Sequence, residues 1–426
     1  MMRINTILMT MLLMTGITLF SCSKETPVED KVTTTPTPVP TKDLVGISIK
    51  SLPLKTVYAL DEKLDLNGLT IEGKYTDNTK AEITVKPEDV SGFKSDKAAD
   101  ELVLTVTIGK FTLTFPVKVL PIKIEDGVLT QVVGPVTEIA LPSYVKAIGE
   151  KAFIGSPIRK ITLNEGLTSI GEEAFGWSEI EEINFPKTLT NIGVAAFYSC
   201  KNLKVIDLSN TSMKKIVHES FSYCGTAELK LPVGLKEIEY QAFIDSKDLK
   251  TLTLPEGLLI LGNEAFRETG IVTLRMPNSV CSMDQRVFYH ASDLEVVETY
   301  GTNDINNTEV EFCRMEASVF GGCRNLRAFA IPRGVKIIGQ NTLSESPNLT
   351  TMVLPSTVEQ INFNAFGNSS LKSVVIEGTV PAKANMISTA WYGFPNKIES
   401  IKVPAGTAAS YKAAPGWSGF AKVITE

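Results

Sequence analysis

The sequence repeats one phrase along most of its length, and this repetition limits the fold more than any other feature. The stretch IGEEAFGWSEIEEINFP at residues 170–186 returns as IGVAAFYSCKNLKVIDLS at residues 192–209. Successive units are 22–24 residues apart, except for one gap of 32. A fixed period of roughly 20–50 residues predicts a solenoid of stacked units. The ten units align on Phe153, Phe175, Phe197, Phe221, Phe243, Phe266, Phe288, Phe320, Leu343 and Phe366.

Within one unit, the apolar letters predict a short strand followed by turns. Ile158, Ile161 and Leu163 surround such a strand, with the polar residue Thr162 between the last two. The pair Phe185-Pro186 shows how the strand ends in the next unit, because proline cannot continue a ladder. The glycine of the IG pair permits a tight turn. The AF phrase favours a helical turn whose alanine and phenylalanine face inward.

A single unit cannot fold alone. Burying about six apolar side chains contributes roughly 10–15 kcal/mol, whereas ordering about 22 residues costs about 1–2 kcal/mol for each backbone unit. Stacked neighbours share strand hydrogen bonds and cover each other's apolar flanks. The recurring letters therefore predict the core, and the letters that vary predict the surface.

Residues 43–121 have a different pattern. Apolar and polar residues alternate over residues 102–108 and again over residues 111–119, with Gly109-Lys110 between them. Two alternating runs joined by two residues, of which the first is glycine, predict a β-hairpin. Several short strands without a helical pattern favour a β-sandwich.

Residues 1–21 are typical of a signal peptide. Arg3 supplies a short positive region, and residues 7–20 form an apolar run too short to span a membrane. The run ends in LFSC, which resembles the lipobox of bacterial lipoproteins and implies lipidation of Cys22. An ordinary signal peptide followed by a chance cysteine is the alternative. Residues 22–42 then form a linker rich in Pro and Thr, a composition that stays extended.

Two longer stretches resemble known families. The pattern L-x-x-I-x-LP-x-x-L-x-x-IG-x-x-AF-x-x-C resembles the BspA-like leucine-rich repeats of bacterial surface proteins over residues 122–404. The stretch PLKTVYALDEKLDLNGLTIEGKYTDNT resembles bacterial Ig-like domains. Residues 405–426 look like the terminal cap of BspA-like proteins, with Trp417 and Phe420 covering the last repeat.

These resemblances imply a mainly β chain and a surface function. We expect an Ig-like β-sandwich, a leucine-rich repeat solenoid of about ten units of 22–23 residues, and a C-terminal cap. The family implies a non-catalytic binding or adhesion protein whose ligand is an extracellular protein or glycan. Together with lipidated Cys22, it implies an outer membrane lipoprotein exposed at the cell surface and held in the membrane through its lipid anchor. A glycan-binding accessory lipoprotein for nutrient capture is the alternative, and a simple spacer is another.

The sequence offers no catalytic constellation. The two histidines, His218 and His290, lie in different units and different registers. No cysteine or carboxylate cluster near them has metal-ligand spacing, and there is no G-x-S-x-G, Gly-rich phosphate loop or zinc-protease motif. The formal net charge of −6 disfavours nucleic acid, which needs a basic surface. We therefore expect no enzymatic activity, no metal or other cofactor and no nucleic-acid partner.

Three groups of residues are candidate binding surfaces. The first is a set of aromatics just after the AF phrase, which suits protein or sugar contacts. The second is an apolar strip on the outward face of the later strands, and the third is the insertion at residues 299–310 in the long unit. Packing between turns is the alternative for the aromatics, and drift among repeats is the alternative for the strip. The three groups are Trp177, Tyr198, Tyr223 and Tyr289; Ala328, Ala330 and Val353; and Tyr300, Asn303 and Asp304.

The cysteines follow the register of the repeats. Cys200, Cys224 and Cys323 lie three residues after their aromatic, as small buried residues would. Cys281 and Cys313 each lie seven residues before theirs, in neighbouring units. Strands about 4.8 Å apart bring such positions within disulfide range. The spacing therefore allows a Cys281–Cys313 disulfide outside the cytoplasm, and free thiols are the alternative if the long unit disturbs the register.

Overall fold

The computed structural model describes residues 42–302, 310, 313–384 and 398–426, and there the chain is almost entirely β. The helical elements of these residues are one α-helix, α1 (Ala408–Ala413), and two short 3₁₀ helices at Pro87–Asp89 and Ser418–Phe420. The predicted fold class, an Ig-like domain followed by a repeat solenoid, is confirmed.

The N-terminal domain is a sandwich of two sheets. Their orders are β1-β3-β4 and β2-β7-β6-β5, and Tyr58, Leu104 and Phe115 are buried in the core of this domain. The predicted hairpin joins β6 to β7, with Ile108 paired to Phe111 and the intervening glycine at a φ of 60°. The strands are β1 (Leu44–Ser51), β2 (Val57–Tyr58), β3 (Thr70–Tyr75), β4 (Lys80–Ile83), β5 (Val90–Ser91), β6 (Ala99–Ile108) and β7 (Phe111–Val119).

After β8 (Ile122–Glu125) the chain winds into a solenoid with two rows of short strands. We call the two rows A and B. β8 pairs antiparallel with the first strand of row B, and within each row the neighbouring strands that pair are parallel. Row B contains β9 (Val128–Val132), β11 (Ala147–Ile148), β13 (Ser169–Ile170), β15 (Asn191–Ile192), β17 (Lys215–Ile216), β19 (Glu237–Ile238), β21 (Ile260–Leu261), β23 (Ser282–Met283), β25 (Arg314–Met315), β27 (Ile337–Ile338), β29 (Gln360–Ile361) and β31 (Lys383–Ala384). Row A contains β10 (Glu138–Ala140), β12 (Lys160–Thr162), β14 (Glu182–Ile183), β16 (Val205–Asp207), β18 (Glu228–Lys230), β20 (Thr251–Thr253), β22 (Thr273–Pro277), β24 (Val296–Tyr300), β26 (Ala328–Phe329), β28 (Thr351–Leu354), β30 (Ser373–Ile376), β32 (Ser400–Lys402) and β33 (Ile424–Thr425).

The solenoid has about 12 turns of about 23 residues, two more than the ten aligned units. The additional turns lie at the two ends, where β9 and β31 occur. Neither end turn contains an AF phrase. An alignment on the aromatic therefore cannot find them.

The recurring phenylalanines form a continuous ladder through the solenoid core. Neighbouring rings from Phe153 to Phe320 are stacked, with centroids 4.8–5.4 Å apart and planes within 9° of each other. All these rings are buried. The core is thus one uninterrupted stack, as the recurring letters predict.

The helical turn expected at the AF phrase is wrong. In the unit of Phe175, Glu173 and Trp177 have left-handed backbone conformations, with φ of 49° and 56°. The N–H of Phe175 donates to the carbonyl of Ala196 in the next turn, at 2.7 Å. Bonds of this kind alternate with single-turn bonds inside the loop, such as the N–H of Gly176 to the carbonyl of Glu173 at 3.0 Å. The loop therefore satisfies its backbone groups without forming a helix, and its Ala174 and Phe175 are buried, as expected.

Both ends of the solenoid are covered. At the C-terminal end, Trp417 and Tyr411 are buried, and β33 pairs with β32. The indole N–H of Trp417 donates to the carbonyl of Ala382 at 3.0 Å, and the Tyr411 hydroxyl donates to that of Gly378 at 2.7 Å. Phe420 is partly buried and packs against the same core. This cap removes an open apolar face that water would otherwise contact.

The Ig-like domain covers the N-terminal end. Ala59 of that domain belongs to the solenoid core, together with Leu120. The N–H of Leu60 donates to the carbonyl of Ile122 at 2.9 Å. The two domains are therefore joined by shared core and backbone hydrogen bonds as well as by the chain itself.

Candidate functional site

Three of the predicted aromatics lie together on the edge of the solenoid formed by the AF loops, here called the loop edge. The Trp177 and Tyr198 ring centroids are 5.0 Å apart at 53°, and those of Tyr198 and Tyr223 are 5.4 Å apart at 63°. Trp177, Tyr198 and Tyr223 form one continuous cluster over three turns, which we call the aromatic ridge. Tyr289 is three turns further on, where it stacks on His290 at 4.1 Å, and does not join the ridge.

The repeat backbone sets the direction of these side chains. Trp177 and Tyr223 occupy the second position after the phenylalanine, where φ is 56° and 58°. Eight turns have a non-glycine residue at this position with φ of 56–63°, so the conformation belongs to the repeat and not to the aromatics. It directs the Trp177 side chain outward, where the residue is 54% exposed.

The three ridge residues differ in exposure. Tyr198 and Tyr223 are half-buried, because each packs against a ridge neighbour. Burial raises the pKa of Tyr198, so its hydroxyl stays neutral at physiological pH. The ammonium of Lys201 lies over the Tyr223 ring, 5.5 Å from its centroid. Trp177 is thus the residue of the ridge that presents most surface to a partner.

The predicted apolar strip lies on the outward face of row A. Ala330 is bridged to Val353, and Val353 pairs in register with Val375. Val353 and Val375 are 42% and 40% exposed. Ala328 of β26, two residues before Ala330, is also exposed. Sequence reasoning missed Val375, although the SVVIEG letters continue the alternation that would have identified it.

The same face is charged in the N-terminal turns. Lys160 and Glu182 form an ion pair at 2.9 Å, and Lys230 pairs with Glu228 at 2.7 Å. Row A therefore changes from charged pairs near the Ig-like domain to an apolar strip of Ala330, Val353 and Val375, and the exposed Lys402 of β32 follows Val375 in register.

The insertion begins at a firmly held residue. The Tyr300 hydroxyl donates to the carbonyl of Leu254, two turns back, and the Arg275 guanidinium lies over its ring at 5.1 Å. Tyr300 is half-buried, so it anchors the base of the insertion and offers little surface to a ligand. Asn303 and Asp304 lie outside the described residues.

The polar residues that could perform chemistry are scattered. His218 contacts Tyr240 at a tilt of 58°, with centroids 4.6 Å apart, whereas His290 stacks on Tyr289 three turns away. Within the described ranges, no group of three or more His, Cys, Asp or Glu residues could hold a metal ion. No helix among those same residues is long and apolar enough to cross a bilayer.

Three cysteines are buried in the stack beside the phenylalanine ladder. The thiols of Cys200, Cys224 and Cys323 donate to phenylalanine carbonyls of the preceding turn at 3.0–3.4 Å. Burial raises the pKa of the Cys224 and Cys323 thiols, so both stay protonated and unreactive. These cysteines are structural.

The predicted disulfide partners lie at equivalent positions. β23 pairs in parallel with β25 through Met283 and Met315, and Cys281 and Cys313 each precede these residues by two. The long unit therefore keeps the register at this point. Both residues are described as thiols, and their oxidation stays a prediction. Cys22 lies outside the described residues.

Comparisons with known proteins agree with this architecture. The family model "BspA type Leucine rich repeat region" matches six copies, at residues 123–226, 214–317 and 304–412. The model "Bacterial Ig-like domain (group 3)" matches residues 51–119. Repeats of this bacterial surface type are generally protein-binding and non-catalytic.

Several solved structures are similar in fold. A leucine-rich repeat protein from Bacteroides ovatus is 24% identical, with 71% of this chain and 85% of that chain covered and a TM-score of 0.44. The pneumococcal vaccine antigen PcpA is 17% identical, with 75% and 85% covered and a TM-score of 0.33. A leucine rich cell surface protein from Faecalibacterium prausnitzii is 17% identical, with 68% and 97% covered and a TM-score of 0.30.

One curated protein matches a short stretch. Pectate lyase L of Thermoclostridium stercorarium is 33% identical over 82 residues, which is 19% of this chain. The chain spans 6% of the length of that protein. The match therefore transfers no activity to this chain.

Proposed function

The chain belongs to the family of BspA-type leucine-rich repeat proteins, and we propose that it is a non-catalytic lipoprotein of the bacterial cell surface that binds extracellular proteins through its aromatic ridge. The single observation that carries this proposal is the 54% exposure of Trp177 at one end of a packed aromatic cluster. Large exposed aromatics are costly to leave in water, and they are enriched among the residues that dominate protein–protein binding energy.

The ring geometry favours a protein partner over a glycan. Trp177 and Tyr198 are tilted by 53°, and Tyr198 and Tyr223 by 63°, so the three rings do not form one flat platform. A sugar ring stacks on a flat aromatic face, whereas an irregular ridge suits the pockets of a protein surface. Protein adhesion is therefore our first candidate, and glycan capture is the alternative outcome of the experiment below.

The proposed location follows from the N-terminal sequence. An apolar run ending in LFSC would be processed before Cys22, and acyl chains on that cysteine would hold the protein in the outer membrane. The Pro/Thr-rich linker of residues 22–42 would hold the described domains away from the lipid surface. Metabolic labelling with an alkyne fatty acid tests this, because the label must be lost in Cys22→Ala.

The binding proposal is tested with the mature chain lacking its lipid, residues 23–426, against arrayed extracellular-matrix proteins and polysaccharides. We expect a protein ligand whose affinity falls at least about tenfold in the triple variant Trp177→Ala, Tyr198→Ala, Tyr223→Ala. Phe363→Ala is the matched control, because Phe363 is 42% exposed on the same loop edge but outside the ridge.

Two results would contradict the proposal. If only polysaccharides bind, and the triple variant loses them, the ridge serves glycan capture. If a protein binds equally well to the triple variant but not to a Val353→Ser, Val375→Ser variant, the apolar strip of row A is the binding surface. The proposed location has its own test, which is digestion of intact cells with added protease. Failure of the protease to cleave the protein would contradict exposure at the cell surface.

A further inference from the structure

The turn before Trp177 has no side chain at the position equivalent to Trp177. Tyr198 in the next turn packs against the ring, whereas the preceding turn has Gly155 at the position equivalent to Trp177. A β-carbon built on Gly155 would meet nothing within 4 Å. The solenoid edge therefore has an open slot formed by the Trp177 ring and Gly155, with Ile154, 40% exposed, beside it.

The two turns around this slot are acidic on their loop edge. Between residues 150 and 179 the exposed loop positions include Glu150, Glu172 and Glu179. Two nearby cations neutralise part of this charge: Lys151 is bound at 2.8 Å to Glu150 and lies 4.0 Å from Glu173, and Arg159 lies 3.8 Å from Glu179. The four carboxylates of Glu150, Glu172, Glu173 and Glu179 still outnumber these two cations. The environment of the slot thus favours a cation.

Elsewhere on the loop edge the chain itself supplies a cation to half-buried aromatic rings. Lys201 lies 5.5 Å from the Tyr223 centroid, and Arg286 lies 5.7 Å from that of Tyr289. Among the described residues, no cation lies over Trp177 in the same way. Indole is the aromatic group that attracts cations most strongly. The strongest cation-binding ring of the ridge is therefore left for a partner.

We propose that the slot between Trp177 and Gly155 binds an arginine side chain of the partner protein, with the guanidinium stacked on the indole. A guanidinium is planar, always charged and weakly hydrated, so it loses less than an ammonium when it leaves water for a ring face. The surrounding carboxylates add attraction and hydrogen-bond acceptors. This inference rests on the proposed function, and it specifies the chemistry of the partner at one position.

Short peptides provide the test. We would titrate the nitrogen-15-labelled mature chain with acetyl-Gly-Arg-Gly-amide and with the same peptide containing citrulline, an uncharged isostere. The Trp177 indole signal is assigned by its loss in Trp177→Phe. We expect a saturable shift of this signal with the arginine peptide and about threefold to tenfold weaker binding of the citrulline peptide. Higher salt should narrow this difference.

A filled slot provides the matched control. Gly155→Tyr should abolish the shift. Its thermal unfolding temperature should fall only modestly, because a side chain at a φ of 60° adds backbone strain, but Tyr223 folds at the equivalent position with a φ of 58°. Equal binding of both peptides, or no shift at Trp177, would overturn the proposal whatever the protein screen shows. An arginine-selective shift without any protein ligand would support the slot and count against the proposed function.

Discussion

Tyr144 of the solenoid donates its phenolic hydrogen to Glu62 of the Ig-like domain, with 2.9 Å between the two oxygens. Glu62 also accepts the N–H of Ala59 at 2.7 Å and pairs with Lys55 at 2.9 Å. The Lys55 ammonium lies 4.0 Å from the Tyr144 ring centroid. Burial, reinforced by the carboxylate, raises the pKa of Tyr144. Its hydroxyl is therefore a constant donor across the domain junction at physiological pH.

Tyr144→Phe should loosen this junction. The variant removes the hydroxyl but keeps the ring, and a hydrogen bond to a charged group is worth about 1.5–3 kcal/mol. We expect a loss of that size in the free energy of unfolding measured in urea, together with faster proteolysis between the two domains. Tyr240→Phe is the control, since Tyr240 lies far from the junction beside His218. Equal stability of both variants would mean that the shared core alone holds the domains.

The repeated letters predicted the solenoid because each turn buries the same side chains. The ladder from Phe153 to Phe320 is the direct consequence of one aromatic in each unit. The repeated letters did not predict the two end turns, because these turns lack an AF phrase. Each of them is covered by a cap and not by a further repeat. The letters EEAF favour a helix locally, but hydrogen bonds between turns, such as Phe175 to Ala196, override that preference.

The aromatic ridge could be predicted only in part. Sequence spacing identified Trp177, Tyr198 and Tyr223 as a series, and the structure brings them together. The same spacing places Tyr289 three units beyond Tyr223, and the structure accordingly keeps it apart from the ridge. Sequence spacing could not reveal how the rings tilt against one another. Nor could it reveal that Tyr300 is an anchor, since its partner Leu254 is 46 residues away in sequence.

Gly225 should be intolerant of any side chain. A β-carbon there would lie 2.0 Å from the carbonyl oxygen of Lys201 in the preceding turn. The Lys201 backbone cannot move away without separating the stacked turns. Gly225→Ala should therefore lower the free energy of unfolding, measured by urea denaturation, by about 1–3 kcal/mol or more. Gly419→Ala is the control, because a β-carbon on Gly419 meets nothing within 4 Å. Similar losses in both variants would contradict the steric explanation.

An ion pair spans the turn that contains Gly225. The Lys204 ammonium reaches Asp248, two turns further on, at 2.9 Å. Lys250 repeats this by reaching Asp293 at 3.1 Å. Both lysines are more than half exposed, and exposed pairs contribute little in salt. Lys204→Met should therefore leave the urea midpoint almost unchanged, and a large loss would show that the pair braces the solenoid.

Cys281 and Cys313 should be joined when the protein is recovered from an oxidising compartment. Their equivalent register places each of them directly before one of two adjacent strands, β23 and β25. Closing the loop between them would add about 3–4 kcal/mol by restricting the unfolded chain. The test is alkylation under non-reducing denaturing conditions, followed by peptide mass spectrometry. Cys200, Cys224 and Cys323 serve as internal controls and should be alkylated fully. Alkylation of Cys281 and Cys313 to the same extent would contradict the disulfide.

Glu264 should make the free energy of unfolding depend on pH in the acidic range. It is 7% exposed, yet it accepts hydrogen bonds from Gln241 at 2.7 Å and Arg267 at 3.2 Å and lies 3.5 Å from Arg286. Burial alone would raise the pKa of its carboxyl, but these donors and charges hold that pKa below its ordinary value. A carboxyl with a lowered pKa stabilises the folded state above its unfolded pKa, about 4.3. That contribution is lost as pH falls through the folded pKa.

Glu264→Gln therefore tests both the network and the sign of its pH dependence. At pH 7 the variant should lose about 1.5–3 kcal/mol, because charge-assisted hydrogen bonds become neutral ones. The difference from the wild type should stay constant down to about pH 5 and shrink below about pH 4, as the wild-type carboxyl is protonated. Urea titrations at pH 7, 5 and 3 measure this. Glu345→Gln is the matched control, because Glu345 is 53% exposed beside Arg324. A stability gap for Glu264→Gln that is the same at all three pH values would mean that side-chain shape, and not charge, holds this part of the loop edge.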